Sequence, residues 1–450
     1  MLPGMRAPGF PQPKSCTATA NPEPPRRRTR TQPTYNEFTV HLTRRMLLTL
    51  GPASLAMPLM SETHDSSPRP FRVAIPQKTI DHILARVRDA RWPDRLDADD
   101  WRYGANWDYM KELAAYWTTR YDWRKSEARL NSFPQFKARV EDFDIHFYHV
   151  RGTGPRPLPI VLTHGWPGSV VEFLDMIAPL SDPAHHGGSP ADSFDVVVPS
   201  LPGFGFSSKP QGKPVGPQTT ARLWHKLMRD VLGYSRYGAQ GGDWGAFVTI
   251  QLARQFPGDL AGIHLNAASV RSVPDSELTE PERAWTRAAA AYRDTEMDYS
   301  REQQRKPQTV AFALSDNPLG AAAWIVEKFK VWSDSGNNIE QAFTKDQLLT
   351  NVMIYLVTES EGTGVWYYRG SAEEARAAQR PATPDKLQVP TGFAALPKEM
   401  TALAPPRSLL ERDYNLVHYT AMPRGGHFAC LEQPALMVTD IREFFRPLRA

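Results

Sequence analysis

The stretch "GAQGGDWGAF" (residues 238–247) follows a β-like run and precedes an apolar helical pattern. Gly241 and Gly245 flank Asp243 in the frame glycine–x–nucleophile–x–glycine. That frame is the sharp strand-to-helix turn on which many hydrolases expose a serine. Here the centre is a carboxylate. Aspartate is also a favoured helix N-cap, so the turn alone leaves two readings open.

Working outward, "FDIHFYHVRG" (143–152) alternates, whereas "LPIVLTHGW" (158–166) and "FDVVVPS" (194–200) are short continuous apolar runs. "GYSRYGAQGG" (233–242) and "LAGIHLNA" (260–267) follow, with helical patterns between them. Apolar strands alternating with helices predict a parallel sheet covered on both faces. The alternation stops near residue 268. Residues 268–375 read as helical, with "PLGAAAWIVEKFKVW" the clearest amphipathic run. Strand-like runs resume at "KLQVPTG" (386–392) and "NLVHYTAM" (415–422), and a last helix covers about 434–446. A helical insertion between two portions of one sheet is most simply a lid.

Before the sheet, "IPQKTIDHILARVRDARWP" places Ile80, Ile83, Leu84 and Val87 on one helical face, with Pro76 near its start. "WDYMKELAAYWTTRYDW" does the same with Met110, Leu113, Ala114 and Trp117. These runs predict an all-helical extension. The expected organisation is an unstructured leader (1–66), the extension (67–139), a first core portion (140–267), the lid (268–375) and a second core portion (376–450).

The leader is rich in proline, threonine and arginine. Its segment "LTRRMLLTLGPASLAMPLMS" (42–61) joins Arg44 and Arg45 to a short apolar run and small residues near Ala53–Ala56, the pattern of a twin-arginine export signal. Export is therefore expected, with a cytoplasmic location the alternative if the true start lies later. The run is short for a membrane span and holds Pro52 and Pro58. A net charge of +4, part of it in "PRRRTR", gives no basic patch for nucleic acid. Two cysteines, Cys16 and Cys430, build neither a disulfide framework nor a cysteine-based metal site. No cofactor or metal is expected.

Two further motifs settle the reading of Asp243. "THGWPGS" (163–169) ends a strand in a turn pinned by Gly165 and Pro167, where a backbone N–H can be aimed at a reacting centre. "RGGHFACLEQP" (424–434) sets His427 in a glycine-pinned loop after the last strand. "PGFGFSS" (202–208) follows the strand between them and shapes the pocket rim. Nucleophile, acid, histidine is the chain order of α/β-hydrolases. A lone aspartate before a helix is usually a cap, but Asp243 and His427 in this frame together favour catalysis.

With "YDWRKSEARLNSFPQF", "HGWPGS", "GGDWGAF", "SDNPLGAAAWIVEKF", "VPTGFAALPKE" and "RGGHFACLEQP", the sequence resembles the microsomal type of epoxide hydrolase over residues 70–448. The resemblance implies that Asp243 opens an epoxide by forming an ester, which water activated by His427 then hydrolyses. A serine attacking an epoxide would leave an ether that this machinery cannot cleave; a carboxylate leaves an ester that it can. Glu399 matches the family's acid position, with Asp413 the alternative. The backbone N–H groups of Trp166 and Trp244 are expected to meet the oxyanion. By motif position the lid donors to the epoxide oxygen are Tyr299, seven residues before Lys306 of "KPQT", and Tyr368 of "VWYYRG", with Tyr367 beside it. A small-molecule epoxide is the implied partner. A haloalkane dehalogenase forms the same ester, and a silent hydrolase fold can serve as a receptor. The helical extension, the tyrosine positions and the complete triad argue against both.

Overall fold

The computed structural model describes residues 66–96, 100–378, 385–399 and 404–449. The export reading of Arg44 and Arg45, and Cys16 with it, lies outside the described residues.

Among the described residues nine strands form one sheet: β1 (Arg69–Phe71), β2 (Gln135–Val140), β3 (Phe143–Val150), β4 (Leu158–Thr163), β5 (Phe194–Pro199), β6 (Tyr237–Gly241), β7 (Leu260–Leu265), β8 (Leu387–Ala395) and β9 (Tyr414–Ala421). Their order is β1-β2-β3-β5-β4-β6-β7-β8-β9. From β5 to β9 every pairing is parallel, while β1, β2 and β3 join antiparallel at one edge. The parallel strands β5, β6 and β7 bury every residue, which is why their sequences are apolar without alternation. The chain has the α/β-hydrolase fold.

Helices α1 (Gln77–Arg88), α2 (Trp107–Thr119) and α3 (Trp123–Leu130) precede β2; α4 (Leu174–Ser181), α5 (Pro217–Lys226) and α6 (Asp243–Gln255) link the core strands. Helices α5 and α6 form one packed pair over the sheet, and α4 with a C-terminal helix, α15 (Pro434–Phe445), forms another. Asp440 fixes α15 in place, its two carboxylate oxygens 2.8 Å and 2.7 Å from His264 Nε2 on β7 and His418 Nε2 on β9. Between β7 and β8 run α7 (Glu280–Glu296), α8 (Asp298–Arg305), α9 (Pro307–Ser315), α10 (Pro318–Trp332), α11 (Lys345–Thr358) and α12 (Glu361–Ala377); α13 (Arg407–Asp413) and α14 (Ala429–Glu432) flank β9.

The extension departs from the all-helical expectation. Strands β1 and β2 bracket its three helices and pair with each other, and β2 also pairs with β3. In "QFKARV" buried Gln135, Ala138 and Val140 share the strand with half-buried Lys137 and Arg139. A strand at the antiparallel end of the sheet needs only one covered face, and so short a mixed pattern is masked in sequence by the helical runs before it. The helices of the extension rest on the lid. Tyr116 donates to Asp346 at 2.8 Å, and the hydroxyls of Ser126 and Thr350 share a hydrogen bond of 2.7 Å.

Candidate active site

The elbow joins β6 to α6. Asp243 has φ +46°, in the left-handed region that side chains other than glycine rarely adopt. The first turn of α6 presses on the end of β4 so closely that a Cβ on Gly245 would lie 1.8 Å from the Thr163 carbonyl oxygen. Glycine is required there by contact, not by custom. Asp243 does not cap the helix, whose N-cap is Gly242. Its carboxylate turns away instead, and Oδ1 accepts the Trp166 backbone N–H at 2.8 Å.

The "THGWPGS" turn that supplies this N–H is itself braced. His164 is fully enclosed, with Nδ1 3.0 Å from the Gly165 carbonyl and Nε2 accepting the Leu201 N–H at 3.2 Å. Burial pushes its imidazole down to about 4, so it stays neutral in this bracing role. The backbone N–H of Trp244, in the first turn of α6, has no intrahelical acceptor.

On the other side of Asp243 stands His427. Its Nε2 is 3.3 Å from Asp243 Oδ2, and its Nδ1 is 2.8 Å from Glu399 Oε1. Both His427 and Glu399 are buried. Burial works to lower the histidine's pKa, but the two flanking carboxylates overcome it and raise it well above the usual value. Asp413, the other carboxylate considered for this position, is engaged elsewhere: it pairs with Arg271 at 2.5 Å.

Above the carboxylate the lid lowers an aromatic group. Tyr299 on α8 stacks on Trp166, with ring centroids 5.5 Å apart at 15°, and Tyr368 on α12 meets the same indole edge-on at 5.6 Å. Tyr368 also stands edge-on to Trp244 at 4.7 Å, and the two tyrosines are 5.9 Å apart. Burial raises both phenols far above the usual range, with the Asp243 charge adding to the effect. They remain protonated donors. Tyr367 is turned to another task, its hydroxyl hydrogen-bonded to Thr220 at 2.8 Å. A half-buried carboxylate beside an imidazole, facing neutral phenols, is equipped to attack an electrophilic carbon whose leaving oxygen needs a proton.

Two family models match the chain: "Epoxide hydrolase N terminus" over residues 68–173 and "alpha/beta hydrolase fold" over residues 159–314. A protein of Stigmatella aurantiaca is 42% identical over 384 residues, covering 85% of each chain. Epoxide hydrolase 1 of Oryctolagus cuniculus is 36% identical over 422 residues, covering 88% of this chain and 91% of its own. The chain belongs to the epoxide hydrolase family. Among solved structures, the epoxide hydrolase of Aspergillus niger superposes with a TM-score of 0.75 at 32% identity, covering 85% of this chain and 97% of its own. Juvenile hormone epoxide hydrolase from Bombyx mori gives a TM-score of 0.78 at 28% identity, covering 87% of this chain and 97% of its own.

As an epoxide hydrolase the chain carries features its sequence did not single out. A cavity of about 1050 Å³ reaches Tyr299 from between the loop at Trp101–Ala105 and lid helices α7, α8 and α10. The loop bearing His427 is tied to the lid by the His427 N–H, which donates to the Trp332 carbonyl at 2.8 Å. Glu432 holds that loop together, accepting the N–H groups of Asp334, Gly426 and Phe428 at 2.8, 3.0 and 3.0 Å. The only sequence signal for this role is a carboxylate directly after the apolar run "FACL". Asp334 is remote in the chain, so spacing could not connect the two.

Proposed function

We propose that this enzyme converts an epoxide and water into a vicinal diol through a covalent ester on Asp243. The carrying observation is the carboxylate held between the Trp166 N–H and His427, beneath Tyr299 and Tyr368. Asp243 attacks an epoxide carbon; the C–O bond breaks, and a tyrosine proton goes to the departing oxygen. Ester formation removes the negative charge of Asp243. With one of its two flanking charges gone, the histidine's pKa falls, and His427 changes from a resting cation into a base. It then takes a proton from water, whose oxygen attacks the ester carbonyl. Glu399 holds Nδ1 throughout and stabilises the imidazolium. The Trp166 N–H already sits on the oxygen that becomes the oxyanion, and the Trp244 N–H is its second donor. Collapse of the intermediate passes that proton from His427 to the diol oxygen and releases the diol; the proton of the new Asp243 carboxylic acid returns to His427, whose earlier proton has already restored the tyrosine.

The two half-reactions separate by mutation. His427→Gln should form the ester and stall, visible by intact-mass analysis as one whole epoxide added. Asp243→Ala should show no adduct. Tyr299→Phe and Tyr368→Phe should each slow adduct formation by about 10²- to 10³-fold, the scale for one lost oxyanion-type donor. In ¹⁸O water the first-turnover diol should be unlabelled and the enzyme labelled. Label in that first diol would mean direct attack by water and would sink the covalent route.

The leader motivates a separate proposal, that Arg44 and Arg45 direct export with cleavage near Ala56. Mass spectrometry of the protein from its native cell tests it; an intact N-terminus in the cytosol contradicts it.

A further inference from the structure

Behind Asp243 lies a small cavity of about 10 Å³, whose lining includes Gly168, Glu172, Asp243, Asn266, His427 and Cys430. That is about the volume one water molecule's centre needs, provided two or more polar partners surround it. His427 supplies one: Nδ1 is taken by Glu399, and Nε2 is buried without a well-aligned acceptor. Glu172 supplies another. It sits on the short turn Val170–Phe173, deep in the fold yet open in part to a water-sized probe, and it lines the cavity. Its carboxyl lies against Gly168, where a Cβ would come within 1.7 Å of Oε1. The glycine of "HGWPG" thus leaves room for a carboxyl that arrives from the next turn.

No cation pairs with Glu172 among the described residues, which is unusual for so deep a carboxyl. Burial pushes its pKa up to about 8, with the His427 charge opposing and the Asp243 charge reinforcing the shift. At neutral pH the group is largely a protonated acid, whose carbonyl oxygen can accept a hydrogen bond.

We propose that Glu172 and His427 together hold the water that hydrolyses the ester on Asp243. This deepens the covalent reading and rests on it. The water donates one hydrogen to His427 Nε2 and the other to the Glu172 carbonyl oxygen, leaving a lone pair directed at the ester carbon. As the new C–O bond forms, the first proton moves to His427, and it later leaves on the diol oxygen when the ester bond breaks. Glu172 ends each cycle unchanged.

The test follows the two half-reactions by rapid acid quench and intact mass, with styrene oxide as the probe epoxide. Glu172→Leu should form the ester within about two-fold of the wild-type rate. Its ester should hydrolyse about 100-fold more slowly, the loss typical of a misplaced reactant. kcat and KM should then fall together, leaving kcat/KM nearly unchanged. Glu172→Gln retains a carbonyl acceptor and should recover most of the hydrolysis rate. Gly168→Ala drives a Cβ into the carboxyl without removing it and should slow the same step, so the question stays answerable if Glu172→Leu does not fold. Ester hydrolysis at the wild-type rate in Glu172→Leu and Gly168→Ala, or equal slowing of both half-reactions, overturns the proposal. His427→Gln separates the two failures. If it traps ester while the Glu172 variants behave as wild type, only the water site is wrong; if it traps none, the covalent reading itself has failed.

Discussion

Gly165 shows how much of the site rests on one missing carbon. A Cβ there would lie 2.1 Å from Asp243 Oδ1, so the glycine leaves room for the carboxylate to reach the Trp166 N–H. Gly165→Ala should therefore displace the carboxylate while leaving the rest of the fold intact. The expected result is loss of ester formation of about 10²-fold or more, with stability lowered by about 1–3 kcal/mol, the usual range for overpacking. Quenched mass analysis and thermal unfolding read the two effects separately. An alanine variant with full ester formation would mean that the carboxylate does not work from this position. At the residue scale the sequence was informative because such contacts force glycines into a fixed frame. Asp243 and His427 were legible for that reason. Glu399 and Tyr368 were legible only through resemblance, since Asp413 and Tyr367 were chemically equal candidates. Their surroundings differ in the fold: Asp413 is paired with Arg271, and Tyr367 with Thr220.

The element that carries His427 is a loop with little regular structure, held by Glu432 from below and by Trp332 of lid helix α10 from above. Lid and core therefore meet at the histidine. Glu432→Ala would leave three part-buried N–H donors without this acceptor, each at up to about 1 kcal/mol, the lower end for a fully buried one, and should lower stability by about 2 kcal/mol. It should slow ester hydrolysis more than ester formation, because the loop positions His427 and not Asp243. Comparing the two half-reactions in a variant that still folds checks this, and equal slowing would place Glu432's effect on the whole site instead. Elements with an unbroken apolar run, such as β5, or one helical period, such as α1, could be read from sequence alone. The strands of the extension could not. Strand β2 is short and lies between β3 and the three-residue edge strand β1, so its pattern is completed only by those two partners.

For the whole molecule, the buried carboxyls give stability a definite dependence on pH. Burial raises Glu172 to about 8, and Glu361 and Glu432 to about 7, from 4.5 in an open chain. Between those values the folded protein holds protons that the unfolded chain has released, so each group makes stability fall as pH rises through its folded pKa. His427 and His418 are also raised, each by carboxylate partners against the opposing effect of burial in His427 and with it in second place in His418. They act in the same direction. Burial lowers His146 to about 3 and His164 to about 4, and these groups make stability rise with pH. Their contribution is complete once the unfolded histidines have lost their protons, near 6.5. Below that pH the two sets oppose one another; above it only the falling set remains. The urea midpoint should therefore decline from about pH 6.5 to about pH 8.5. Glu361, buried on α12 and outside the proposed machinery, offers the cleanest check. Glu361→Gln removes one titrating group at nearly constant volume and should flatten the decline between pH 6.5 and 7.5. A midpoint that stays level or climbs across this range in the wild type would mean that these carboxyls are already ionised in the folded protein, and the same protonated state assigned to Glu172 at neutral pH would have to be given up.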